Sequence, residues 1–292
     1  MTKHNWVPAH VVEIVTPKKY VLNGLWFGPK KPKTAIIFLH GLTASAFSMR
    51  HLVHELVDPS TSVLTFNNRG FEKITEIKKG RGESAKWVSA GAAHEVFTEC
   101  VDDIQGAVNT AKRSDAKNIF VIGHSTGAQK AVYWAFKNGR GVHGLILLGP
   151  LSDYASVMRD GKRGKLRVAQ ALSRKLVRAE RGHELLPRKM TGWLPLDAQR
   201  FLSLNTPDSV EQSIFSYFDP KKKPSMLKSV RLPILSIFAG RDEHADRPAQ
   251  QIATWLEKHI RNGNVVIIPR VKHSFRGGEK AVAREIRRFM ER

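Results

Sequence analysis

The 292-residue chain reads as an α/β protein: a mainly parallel central sheet, helices on both of its faces, and a helical cap insertion late in the chain. Three observations predict this. Six short runs are almost continuously apolar, as strands buried on both faces are. Amphipathic helical patterns lie between most of them, as right-handed βαβ crossovers require. One connection, from Leu151 to about Lys228, is too long for a loop and carries helical signals of its own.

The elements follow in order. Residues 11–16 and 20–27 are β-rich and parted by Pro17-Lys18-Lys19, which predicts an opening antiparallel pair. The buried runs are Ala35–Leu39, Ser62–Phe66, Asn118–Ile122, Val142–Leu148, Leu232–Phe238 and Val265–Ile268. Helical patterns cover Ala46–Val57, Val96–Lys112, Gly127–Phe136, Arg247–His259 and Gly278–Met290. Gly70–His94, rich in glycine and charge, predicts an excursion over the top of the sheet. The expected organisation is a core of residues 1–150 and 229–292 with a cap at 151–228. In the cap, Leu166, Ala169, Leu172, Leu176 and Ala179 recur at helical spacing, with Arg167, Arg174, Arg178 and Arg181 on the opposite face.

Composition narrows the function classes. With 41% hydrophobic and 25% charged residues, the chain is unlike disordered, collagen-like or membrane proteins. Its 48 Lys+Arg against 26 Asp+Glu give a net charge of +22, which attracts anions but specifies no chemistry. No nucleic-acid module accompanies the charge, so specific nucleic-acid binding is not expected. A lone Cys100 excludes an internal disulfide and fits a reducing compartment; its amphipathic setting makes it a buried apolar residue. The first residues lack the pattern of a secretory signal and no apolar run approaches a bilayer span, so a soluble cytoplasmic protein is expected.

The chemistry centres on Gly123-His124-Ser125-Thr126-Gly127, which follows a strand and opens a helix. That is the setting of a G-x-S-x-G nucleophile elbow, where small neighbours permit a sharp turn and leave the hydroxyl open. A serine needs a base, and the base needs an orienting carboxylate. Asp242 follows the strand ending at Phe238, with Glu243 and Asp246 as rivals in the same loop; His273 lies in the loop before the last helix. The oxyanion donors are assigned to the backbone N–H groups of Leu42 and Thr126, with Thr43 and Phe47 at the pocket mouth. His40 is read as a brace for its loop and His124 as packed beneath the elbow. His51 and His54 are three apart on a helix but lack a third ligand, and no cofactor or metal is implied.

With His40-Gly41, Asn68-Arg69-Gly70, Ser125, Asp242 and His273 in this order, the chain resembles the α/β-hydrolase superfamily over nearly its whole length outside the cap. The segments NNRG, EVFTECVDDI, GHSTGAQKAVYW and KHSFRG are similar to a group of small bacterial hydrolases distantly similar to fungal siderophore esterases. The resemblance implies a serine esterase: His273 deprotonates Ser125, Asp242 orients the imidazole, and an acyl-enzyme is then hydrolysed. A serine nucleophile argues against the dehalogenase and epoxide-hydrolase members, which use aspartate. Acyl transfer, thioester or C–C cleavage on the same triad, or a non-catalytic ligand-binding protein on the same fold, remain the alternatives. The compact cap suggests short to medium acyl or aromatic esters as small-molecule substrates; its Trp193, Leu194, Leu196, Phe201, Phe215, Tyr217 and Phe218 offer enough apolar surface to wall such a pocket, with the alternative that most of them are core. Its basic residues suit a substrate bearing a carboxylate.

Overall fold

The computed structural model describes residues 7–137, 139–161 and 163–292. Strands β1 (Ala9–Val15) and β2 (Val21–Phe27) form the antiparallel pair, in register from Ala9 opposite Phe27 to Val15 opposite Val21. Next come β3 (Thr34–Leu39), α1 (Arg50–Leu56) and β4 (Thr61–Phe66). The helix is shorter than the apolar pattern at 46–57 because Met49 sits in the left-handed region at φ 58°, so helical geometry starts only after it.

The Gly70–His94 excursion contains a hairpin that its sequence did not announce, β5 (Thr75–Lys79) against β6 (Lys86–Ala90). Only Ile77 of β5 is buried, so the alternation that marks a strand is nearly absent. Then follow α2 (Cys100–Lys112), β7 (Asn118–His124), α3 (Thr126–Lys137) and β8 (Gly144–Leu148). The inserted segment supplies α4 (Asp153–Arg159), α5 (Arg163–Arg178), α6 (Arg188–Thr191), α7 (Ala198–Asn205) and α8 (Ser225–Ser229). The chain closes with β9 (Ile234–Ala239), α9 (Ala249–His259), β10 (Gly263–Ile268) and α10 (Glu279–Met290).

The main sheet runs β1-β2-β4-β3-β7-β8-β9-β10, antiparallel in its first two pairings and parallel in the rest. Every residue of β4, β8 and β9 is buried, which is why these strands read as unbroken apolar runs. One face packs against α2, α3 and α9 through Ile104, Val108, Ala131, Trp134, Ile252 and Leu256. The other packs against α1 and α10 through Leu52, Leu56, Val282, Ile286 and Phe289. The inserted helices have a smaller core of their own, Leu166, Ala169, Leu186, Leu194, Leu196, Phe201 and Leu204, to which the excursion adds Ala92. On α5 the arginines 167, 174 and 178 are exposed as the helical spacing requires, while Ala179 lies beyond the helix end and is also exposed.

A buried ionic cluster joins this segment to the core. Arg200 of α7 pairs with Glu211 and, at 2.9 Å, with Glu95 at the end of the excursion. Glu95 also pairs with Lys130 of α3, whose Nζ donates to Asn68 Oδ1 at 3.2 Å. Burial alone raises the Glu95 carboxyl, but Lys130 and Arg200 outweigh it and hold the group below the usual carboxylate range. Charges this deeply buried are tolerated only when each finds its partner.

Candidate active site

Ser125 stands alone between the end of β7 and the start of α3, in the left-handed region at φ 55°. A serine held there is strained, and the surrounding structure has to impose it. Its N–H donates to Leu148 O of β8 at 2.9 Å, and its carbonyl accepts from Ala128 N–H at 2.8 Å. The motif's glycines are steric necessities. A Cβ at Gly123 would lie 2.2 Å from the Gly127 carbonyl oxygen, and one at Gly127 would lie 2.6 Å from Leu39 O. Side chains at either position would force strand and helix apart.

His273 and Asp242 meet. The imidazole Nδ1–H donates to Asp242 Oδ2 at 2.7 Å, and Asp242 Oδ1 accepts from the His244 N–H at 3.0 Å. The Asp242 side chain is only 2% exposed, so little water competes for it. With Nδ1 as donor, the lone pair of His273 lies on Nε2, the nitrogen a base requires. Ser125 and His273 converge on the end of β8: Leu148 holds the serine amide, and a Cβ on the next residue, Gly149, would lie 3.0 Å from His273 Cε1. No direct hydrogen bond joins Ser125 Oγ to His273; resting sites often tighten only around substrate. Of the rival carboxylates, Glu243 accepts the His273 backbone N–H at 2.9 Å and Asp246 pairs with Arg247 at 2.8 Å.

Other contacts that sequence reasoning did not assign hold the histidine loop. His124 lies beneath His273 with ring centroids 4.7 Å apart, its Nε2–H donating to His273 O at 3.0 Å. His244 meets the same ring edge-on at 4.9 Å, and His51 Nε2–H donates to Ser274 O at 2.8 Å. This gives His51 a structural partner, and His54 beside it is exposed. The signal for these roles is proximity in the fold, which sequence spacing does not carry.

Burial, reinforced by neighbouring His273, pushes the His124 imidazole down to about 3. The folded state therefore resists protonating it, and its contribution to stability is present above pH 6.5 and lost as pH falls toward 3. In urea titrations the stability advantage of wild type over His124→Gln should shrink by about 2 kcal/mol between pH 6.5 and 5, at 1.36 kcal/mol per unit. A difference that stays constant with pH would show that the half-buried His124 is not held neutral as described.

The loop after β3 approaches the elbow closely: a Cβ on Gly41 would lie 2.9 Å from Ser125 Cβ. Leu42 follows this contact, and Thr43 takes φ 58° as the loop turns away. Thr126 contributes one of the first-turn N–H groups of α3, which a helix cannot satisfy internally. His40 braces the loop: Nδ1–H donates to Gly41 O at 2.9 Å and Nε2 accepts the Asn68 N–H at 3.3 Å. Burial, with Lys130 adding to it, pushes this imidazole down to about 4 and keeps it neutral.

A cleft of about 490 Å³ opens beside the Asp242 loop, lined by Tyr154, Met158, Arg159, Arg163, Phe218 and Arg247 among others. Arg159 donates to the Glu243 and Ala245 carbonyls at 3.1 and 2.7 Å, which ties the cleft wall to the loop that carries Asp242. Of the aromatic and aliphatic residues expected to wall a pocket, Leu194, Leu196, Phe201, Phe215 and Tyr217 are core, and Trp193 is exposed. Phe47, placed by sequence at the pocket mouth, is also exposed. No helix among the described residues is long and apolar enough to cross a membrane.

The fold has many relatives among solved structures. A siderophore hydrolase, EstB from Aspergillus fumigatus, superposes with a TM-score of 0.70 at 16% identity, over 99% of this chain and 98% of that one. Est1E from Butyrivibrio proteoclasticus, with ferulic acid bound, gives 0.63 at 18% identity over 96% and 98% of the two chains. The Pyrococcus furiosus esterase Pf2001 gives 0.61 at 18% identity over 98% and 94%. At such identities these likenesses speak for the fold. No curated protein matches the sequence. The family model described as Serine aminopeptidase, S33 matches residues 30–194. That match spans more than half of the chain and includes the elbow, so the chain belongs to this family of serine hydrolases with the α/β-hydrolase fold.

Proposed function

We propose that the protein hydrolyses carboxylic esters through Ser125, His273 and Asp242 by way of an acyl-enzyme. The observation that carries this reading is a left-handed serine at the strand-to-helix turn, beside the same strand end as a histidine anchored by a buried carboxylate at 2.7 Å. His273 Nε2 takes the Ser125 Oγ proton as the oxygen attacks the ester carbonyl. The backbone N–H groups of Leu42 and Thr126 receive the oxyanion, aided by the amino-terminal potential of α3. His273 then protonates the departing alcohol and activates the water that releases the acid. Asp242 keeps the Nδ1–H tautomer and stabilises the imidazolium.

Short to medium acyl or aromatic esters are the substrates proposed. Tyr154 and Phe218, with ring centroids 5.1 Å apart, offer an apolar wall in the cleft, and Arg163 on its rim favours a carboxylate-bearing ester, while Arg159 and Arg247 are paired with Asp160 and Asp246. The siderophore hydrolase and the ferulic-acid complex among the structural relatives accord with small esters. Residues 151–228 act as the cap over a core of 1–150 and 229–292. The lone buried Cys100, whose thiol burial pushes well up, suits work in a reducing cytoplasm.

A fluorophosphonate probe followed by intact-mass spectrometry tests the reading. Wild type is expected to gain one probe adduct per chain, and Ser125→Ala none. Equal labelling of both proteins would place the reactive nucleophile elsewhere.

A further inference from the structure

Away from the proposed catalytic site, three side chains from separate stretches of chain meet at the seam between the excursion and the inserted helices. His94 follows β6, His183 lies between α5 and α6, and Asp197 caps α7. Both imidazole Nδ1 atoms lie 3.0 Å from Asp197 Oδ2, and the three ligand atoms all fall within 4.8 Å of one another. The Asp197 carboxylate is fully buried and rigidly aimed: Oδ1 accepts the Arg200 N–H at 2.7 Å, and the Asp197 N–H donates to Ala93 O at 2.9 Å. His183 is 70% exposed, which gives an ion a path from solvent and leaves the ring free to adjust.

We propose that His94, His183 and Asp197 bind one zinc ion, or a comparable borderline divalent cation, that staples the inserted segment to the core. Two imidazoles and one carboxylate are the donors such ions prefer; magnesium and calcium favour all-oxygen sites. Around tetrahedral zinc, with bonds of about 2.0–2.2 Å, ligand atoms stand about 3.3 Å apart. The two 3.0 Å separations need to widen only by tenths of an ångström, and the His94 to His183 separation closes by rotation of the exposed ring. On binding, each neutral imidazole carries its hydrogen on Nε2 and offers the Nδ1 lone pair. Solvent occupies the fourth position. The sequence conceals this set because its members span residues 94 to 197 with no ligand spacing motif.

The inference rests on no part of the ester-hydrolysis reading, and binding tests it directly. Isothermal titration of the full chain with zinc chloride is expected to show one site per chain, with magnesium chloride giving no heat of binding. His183→Ala removes an exposed ring and Asp197→Asn keeps an amide oxygen for the cap; each should weaken zinc binding by about tenfold or more. His54→Ala should leave it unchanged. Zinc should also raise the Tm of wild type and not of His183→Ala. Undiminished affinity in both ligand variants, or no binding by wild type at micromolar zinc, overturns the proposal.

Discussion

Replacing Ser125 with alanine is expected to lower kcat on a soluble short-chain ester by on the order of 10³-fold or more, because it removes the atom that carries the acyl group. What remains is catalysis by the oxyanion donors and by binding alone. Alanine inherits the left-handed backbone at φ 55°, so the circular-dichroism spectrum and urea midpoint of the variant need to be compared with wild type. With the fold intact, turnover near the wild-type rate would remove Ser125 from the mechanism altogether.

Asp242→Asn should be comparably severe, roughly 10⁴-fold, the scale seen where asparagine forces the wrong histidine tautomer in a serine-protease triad. The amide nitrogen donates where the carboxylate accepted, so His273 would have to present Nδ1 as acceptor and carry its hydrogen on Nε2, where the base lone pair is needed. Asp246→Asn is the matched control. Its side chain pairs with Arg247, while the His273 imidazole is bonded to Asp242, so kcat should stay within the same order of magnitude. Steady-state kinetics on the two variants separates the carboxylates, and a reversed ranking assigns the role to Asp246.

Much of this architecture was legible in the sequence because burial on both faces writes itself as unbroken apolar runs. β4, β8 and β9 are such cases, and the positions beyond strand ends that singled out Asp242 and His273 in the sequence do bring those two side chains into contact. What escaped was of another kind. The β5-β6 hairpin buries too few residues to leave a period-2 pattern. The contacts of Gly149, Glu243 and His244 with His273 depend on distances between loops that are far apart in the chain. The aromatic residues of the inserted segment could be pocket wall or core on sequence, because apolarity alone cannot tell the two apart; Phe201, Phe215 and Tyr217 are core.

The ionic cluster around Glu95 also bears on how such a protein can diversify. Glu95 is shared between Lys130, on the helix that follows Ser125, and Arg200 of α7, so α7 is tied through one carboxylate to the helix that opens at the elbow. A substitution there would strand a charge in the interior and be purged for instability before its effect on substrate choice was ever tested. The outer face of α5 carries no such obligation: Arg167, Arg174 and Arg178 are exposed. The segment after β8 thus divides into an inner tier tied to the core by paired buried charges and an outer tier of exposed arginines on α5, so substitutions in the outer tier should cost far less stability than those in the inner one.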